Sequence, residues 1–243
     1  MNIDNFKRAR ASVIGEAEVT EGVGGLNERS LHKILKLTIE PRAEYHEVKY
    51  LGSVADVKNE EGIFEIQTKS AYKLRPKLLR FLSESRVDLV IPIISEKYIR
   101  YIDEETGEIA PPRRSPKAEN IYTALNSMCT LADLFYNDNF KVTLVYLSAD
   151  EYKRKKKRRG ERKIDVLPKD ILSVEELSSP DDLIRYFPEG ISGEFLAKDF
   201  AGKIKRPSRF SYYVLKFFEN LGYVSAVGMC GRAIVYKTKG CFI

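Results

Sequence analysis

Apolar positions along this chain switch between a helical period and a strand period, and the switches divide it into elements. Leu31, Ile34, Leu35 and Ile39 recur at helical spacing. A helix is therefore predicted from Glu28 to about Ile39, with Asn27 as N-cap and Pro41 as its stop. The first twenty residues show no clear period and read as an irregular arm, followed by a flexible turn at Gly22, Gly24 and Gly25. Three strands are predicted next, over 45–50, 51–58 and 62–69, joined by tight turns as an antiparallel meander. A second helix over 72–83 places Leu74, Leu78, Leu79 and Leu82 inward. The nearly continuous apolar run from Val87 to Ile94 suits a central strand covered on both faces. Pro92 inside it implies a bulge or an exit point. A hairpin-like insertion over 98–110, a Pro-rich stretch to Pro116, a helix over 121–130 and a strand over 141–147 complete a mixed α/β (α+β) sandwich spanning residues 1–150.

The pattern then changes. Residues 164–178 read as a connector, and 180–187 as a short helix. Helices over 195–204 and 208–221 are separated by Lys205, Arg206 and Pro207. Two strands, 223–227 and 232–237, close the chain around a tip at Gly228–Gly231.

Composition narrows the class. The chain has 243 residues, 43% hydrophobic and 31% charged, as expected of a soluble globular protein. No apolar run approaches the ~20 residues that span a bilayer, and the N-terminal residues do not read as a secretory signal. Cys129, Cys230 and Cys241 show no Cys-x-x-Cys spacing, which argues against a disulfide framework or a thiolate zinc site and for a reducing cytoplasm. Two histidines, His32 and His46, argue against a His-rich metal centre. The net charge of +6 is unevenly spread. Residues 152–163 hold nine bases and one acid, and residues 191–243 hold nine bases and three acids, leaving a net acidic remainder. A basic linker over 151–178 and a basic tail over 191–243, within a last domain expected at 179–243, suit a polyanionic partner.

The chemistry concentrates on the predicted meander. Alternate side chains of a strand share a face, so Glu65, Gln67 and Lys69 are expected to project together, with Asp56 reaching them from the neighbouring strand. Two carboxylates beside an amide and an amine on rigid backbone suit a hard divalent cation and a phosphodiester substrate.

The element order, with Asp56 on the second strand and Glu65-Ile66-Gln67 on the third, resembles the PD-(D/E)xK phosphodiesterase superfamily over residues 26–147. The resemblance implies a restriction-endonuclease-like sandwich. It implies Asp56 and Glu65 as ligands of Mg²⁺ or Mn²⁺, with the carbonyl of Ile66 as a further donor. It also implies Glu28 on the first helix as an added acid that holds water or a second ion. Gln67 stands where the family has its Lys. An amide can hold a water but supplies no charge, so Lys69 is expected to lend its ammonium. His46 is the fallback general base.

The C-terminal segment resembles winged-helix domains. The resemblance implies that Lys205, Arg206, Ser208, Arg209, Tyr212, Tyr213 and Lys216 lie at or along a helix that enters the major groove. Arg232 flanks the wing, and Lys155, Lys156 and Arg158 of the strap touch phosphate. The expectation is a metal-dependent nuclease on double-stranded DNA, without membrane contact, and a homodimer is compatible with the resemblance because many nucleases of this superfamily dimerise. The alternative is a non-catalytic DNA-binding protein with a degenerate nuclease-like domain. Gln67 is the residue that separates the two.

Overall fold

Asn2 begins the chain's first element. Its side-chain oxygen accepts the amides of Asp4 and Asn5 at 2.8 and 3.1 Å, satisfying two of the donors a helix start leaves open. The structure, a computed structural model, describes residues 1–21, 30–103, 106–155 and 160–239; the side chains of 16–21 and 155 are not described. Helix α1 (Ile3–Glu21) replaces the irregular arm expected from sequence. Its apolar stripe is narrow (Phe6, Ala9 and Val13), and it buries against Leu31, Ile34 and Leu35 of α2 (Ser30–Ile39). Tertiary packing, not periodicity, carries this helix.

The large sheet begins with β1 (His46–Tyr50), β2 (Ser53–Asn59) and β3 (Gly62–Ile66), an antiparallel meander as the sequence predicts. Leu51 and Gly52 form the two-residue turn between β1 and β2, both at positive φ, 46° and 71°. Such a turn matches strand twist, and glycine adopts it without cost. β4 (Val87–Ile102) is buried at every position from Val87 to Ile94. It runs through Pro92 without ending there, although proline brings no N–H to the ladder. β5 (Arg113–Arg114) pairs with the outer half of β4, so the Pro-rich stretch contributes a short strand. β6 (Phe140–Lys155) and β7 (Glu161–Leu177) complete a seven-stranded sheet of order β1-β2-β3-β4-β6-β7. The molecule is thus of mixed α+β class with one large mixed sheet.

Residues 151–178, expected as a basic linker, are for the most part strand. The reason is local pairing of charge. Lys153 lies 2.8 Å from Glu161 and 3.4 Å from Glu151, so acids on the two strands neutralise part of the basic run.

The chain forms two compact units, and neither is a contiguous stretch. The first comprises Met1–Thr68, Asp88–Asn120 and Thr143–Glu175, and the second Lys69–Val87, Ile121–Val142 and Glu176–Ile243. The boundaries expected at 150 and 179 therefore differ from those of the units. Within the second unit, α3 (Arg75–Leu82) buries Leu78, Phe81 and Leu82, whereas Leu79, predicted to face inward, is exposed. α4 (Ile121–Ser127) and the residues after it hold the long helix α7 (Ser208–Asn220). Asn126 donates to the Phe210 carbonyl at 2.9 Å, and Asn220 donates to the Cys129 carbonyl at 2.8 Å. Those bonds draw 121–142 to the C-terminal segment.

That segment runs α5 (Asp181–Ile184), β8 (Glu194–Leu196), α6 (Ala197–Ile204), α7, β9 (Val224–Cys230) and β10 (Ala233–Thr238), with a small sheet of order β8-β10-β9. Its core is aromatic. Phe187 meets Phe218 edge-on with centroids 5.1 Å apart, and Phe195 stacks on Tyr236 at 5.9 Å. β9 extends to Cys230, so the hairpin turn falls at Gly231 and Arg232, at the far end of the tip read from sequence and one residue past it.

Candidate functional site

Asp56 and Glu65 sit just past the rung of the β2–β3 ladder that pairs Val57 with Phe64. Carboxylates take over the tie between the strands at this point. The Asp56 amide donates to Glu65 Oε1 at 3.2 Å, and the Ile66 amide donates to Asp56 Oδ2 at 2.8 Å. β3 meanwhile turns to its other neighbour, the Gln67 amide donating to the Val90 carbonyl at 2.9 Å. The two acids are thus brought together, as expected, and each is anchored by main-chain N–H. Bonds of this charge-assisted kind are among the stronger ones available to a carboxylate. Glu65 is only 1% exposed, while Asp56 keeps partial access to solvent.

A third side chain joins them that sequence reasoning did not choose. His32, on α2, places Nε2 3.1 Å from Asp56 Oδ2, with 29% of its side chain exposed. The signal was present: His32 borders the inward stripe of Leu31, Ile34 and Leu35, so it flanks the sheet at the height of β2. The fallback base His46 is elsewhere engaged, its Nε2 lying 2.6 Å from the Glu40 carbonyl.

Two expected members fare differently. Gln67 lies one residue past the end of β3 and is half-buried, while Lys69 lies three past the end, is exposed, and belongs to the other compact unit. The strand face that was to align Glu65, Gln67 and Lys69 stops at Ile66, because the chain bends into the turn before α3. Glu28 lies outside the described residues. Among the described residues, no group of three or more His, Cys, Asp or Glu is arranged to hold a metal ion. The donor chemistry of Asp56 and Glu65, two carboxylates, nevertheless suits Mg²⁺ or Mn²⁺, since Mg²⁺ takes one or two carboxylates and keeps several waters.

The second group of expected residues falls on α7 and its surroundings. Val214, Leu215, Phe217 and Phe218 are buried, and Ser208, Arg209, Tyr212 and Tyr213 are exposed on the opposite side. Tyr212 and Tyr213 form an edge-on pair with centroids 5.5 Å apart. Lys216 continues that side but is held by Glu219 at 2.9 Å. Lys205 ends α6 in the left-handed conformation, φ +51°, and the Arg206 guanidinium lies 5.5 Å from the Phe210 ring centroid. Arg232 is exposed in the β9–β10 turn. Lys155 ends β6, and Lys156 and Arg158 lie outside the described residues.

Among the described residues no helix is long and apolar enough to cross a membrane. A relative in Treponema pallidum (strain Nichols), an uncharacterized protein, is 28% identical over 220 residues, covering 86% of this chain and 85% of its own. No solved structure matches the chain. Residues 29–178 match the family described as Domain of unknown function (DUF8091). The match ends one residue past β7, which puts the basic hairpin inside the family's domain. From α2 through β7, more than half its length, this chain is a member of the DUF8091 family.

Proposed function

We propose that this protein is a metal-dependent nuclease that hydrolyses DNA phosphodiester bonds, with a restriction-endonuclease-like site on the meander and a winged-helix-like C-terminal segment that supplies affinity. One observation carries the reading: Asp56 and Glu65 converge where β2 and β3 separate, with His32 of α2 against Asp56. Asp56 and Glu65 would hold Mg²⁺ or Mn²⁺, which when bound polarises a phosphate and lowers the pKa of a coordinated water. The main-chain donors at Asp56 and Ile66 keep both carboxylates oriented, so that little reorganisation accompanies binding. Gln67 hydrogen-bonds a water without adding charge. The exposed side of α7, with Arg209, Tyr212 and Tyr213, meets the nucleic acid, with cationic groups on phosphate and tyrosine hydroxyls as donors.

A second reading is a DNA-binding protein whose nuclease-like domain is inert. It is favoured by those same main-chain bonds, which give both acids a structural duty, and by Gln67 in place of a lysine. The two are separated by cleavage of single- and double-stranded DNA with Mg²⁺ or Mn²⁺, comparing wild type with Asp56→Asn and Glu65→Gln. The nuclease reading expects metal-dependent cleavage that falls by at least ~100-fold in either variant. Salt-sensitive DNA binding without cleavage, unchanged by the substitutions, selects the inert reading.

A further inference from the structure

An unpaired strand edge invites pairing with another chain, and proteins blunt such edges by shortness, charge, proline or cover. Most sheet edges of this molecule are treated that way. β1 has five residues, carries Glu47 and Lys49, and departs from extended backbone at Glu47, φ +51°. β5 and β8 have two and three residues. β7 carries Pro168, Lys169, Asp170, Glu175 and Glu176, and Arg10 of α1 donates to the Pro168 carbonyl at 2.9 Å.

β9 is the exception. It is an edge of the small sheet, and its seven residues include no charged residue and no proline. From Ala226 to Cys230 every residue is exposed, Val227 at 48% and Met229 at 63%. Its one irregularity is a bulge, with Gly228 opposite Val235 and Ala226 opposite Tyr236, leaving Val227 as the extra residue.

We propose that β9 is a self-association edge, at which two copies of this chain pair antiparallel about a two-fold axis at Gly228. A symmetric dimer needs a patch complementary to itself. An uncharged strand meets that need, whereas identical charged edges on a chain of net charge +6 oppose like to like. Gly228, the midpoint of the exposed segment, brings no side chain to the axis. Val227 then lies across from the partner's Met229, and Ala226 from the partner's Cys230.

The ends of the strand are complementary too. Exposed Arg232 sits at the tip. At the base, the Tyr223 hydroxyl donates to the Pro180 carbonyl, tying in the start of α5 with Asp181 and Asp182. Antiparallel pairing sets the basic tip of each copy beside the acidic base of the other, twice per dimer.

The test is sedimentation velocity of the full chain at micromolar concentrations, with circular dichroism to confirm folding of each variant. The expected result is a monomer–dimer equilibrium. Met229→Lys shifts it at least about tenfold toward monomer. Arg232→Asp weakens it, and adding Asp181→Arg restores it. The register has its own readout. In a Cys241→Ser background, Ala226→Cys crosslinks on mild oxidation to the partner's Cys230, and Cys241→Ser alone does not. Within one copy, positions 226 and 230 are about 13 Å apart along the strand, too far for a disulfide. A monomer throughout this range overturns the proposal. So does a dimer that is indifferent to Met229→Lys and is not crosslinked through Ala226→Cys.

Discussion

Glu40 shows how tightly one residue can be held at the edge of a domain. It is buried, and its carboxylate takes the Arg42 side chain at 2.9 Å through both Nε and Nη2, the Arg42 amide at 3.0 Å and Asn59 at 3.2 Å. These donors, the Arg42 side chain foremost, hold its pKa down to about 2 against an ordinary 4.5, outweighing the opposing effect of burial. The folded value lies below the unfolded one, so the contribution to stability is full above about pH 4.5 and is lost as pH falls toward 2. Glu40→Ala is expected to cost roughly 2 kcal/mol at pH 7. Urea unfolding across pH checks this: the gap between wild type and variant closes below pH 3 if the carboxylate is the cause. Asp56 and Glu65 also accept main-chain donors, and under the proposed function those donors would orient them toward a shared cation. For that reason the conservative amide variants, which keep shape and remove charge, are the informative ones for cleavage.

At the scale of elements, α1 and the β6–β7 hairpin depart most from sequence expectation. Among its described side chains, α1 buries Phe6, Ala9 and Val13 in the core cluster with α2 and the sheet, and Ile14 packs partly buried against it. Phe6 is 2% exposed, so Phe6→Ala leaves a cavity in that layer and is expected to destabilise by about 3–5 kcal/mol. A lowered urea midpoint with unchanged slope is the expected readout. An arm packed loosely on the surface would tolerate the change. In the hairpin, Lys153 of the basic run sits on β6 with Glu151 and Glu161 both in ion-pair reach, at 3.4 and 2.8 Å.

For the whole molecule, the charge distribution sets how a polyanion would be met. Each phosphate neutralised adds about one to the slope of log K against log[salt] on duplex DNA. Under the proposed function, Arg209→Ala is expected to weaken DNA binding at low salt and to lower that slope by about one, while Tyr212→Ala weakens binding and leaves the slope nearly unchanged. Fluorescence anisotropy titrations at several salt concentrations distinguish the two. Equal slopes for wild type and Arg209→Ala remove α7 from the interface.

How much of this was legible in the sequence follows from the range of the forces involved. The meander, the buried run at Val87–Ile94 and the pair of C-terminal helices rest on local period, turn residues and stops, which are written in neighbouring positions. Asp56 and Glu65 could be paired because a tight hairpin fixes its own register. The tertiary structure alone decided the rest. α1 exists because a distant layer buries three side chains. Segment 121–142 joins the C-terminal unit because the two ends of α7 accept and donate hydrogen bonds there. His32 reaches Asp56 because α2 lies against the sheet, and the strand face expected to carry Lys69 stops because β3 ends at Ile66. Each of these depends on contacts between residues far apart along the chain, and neither period nor spacing carries that information.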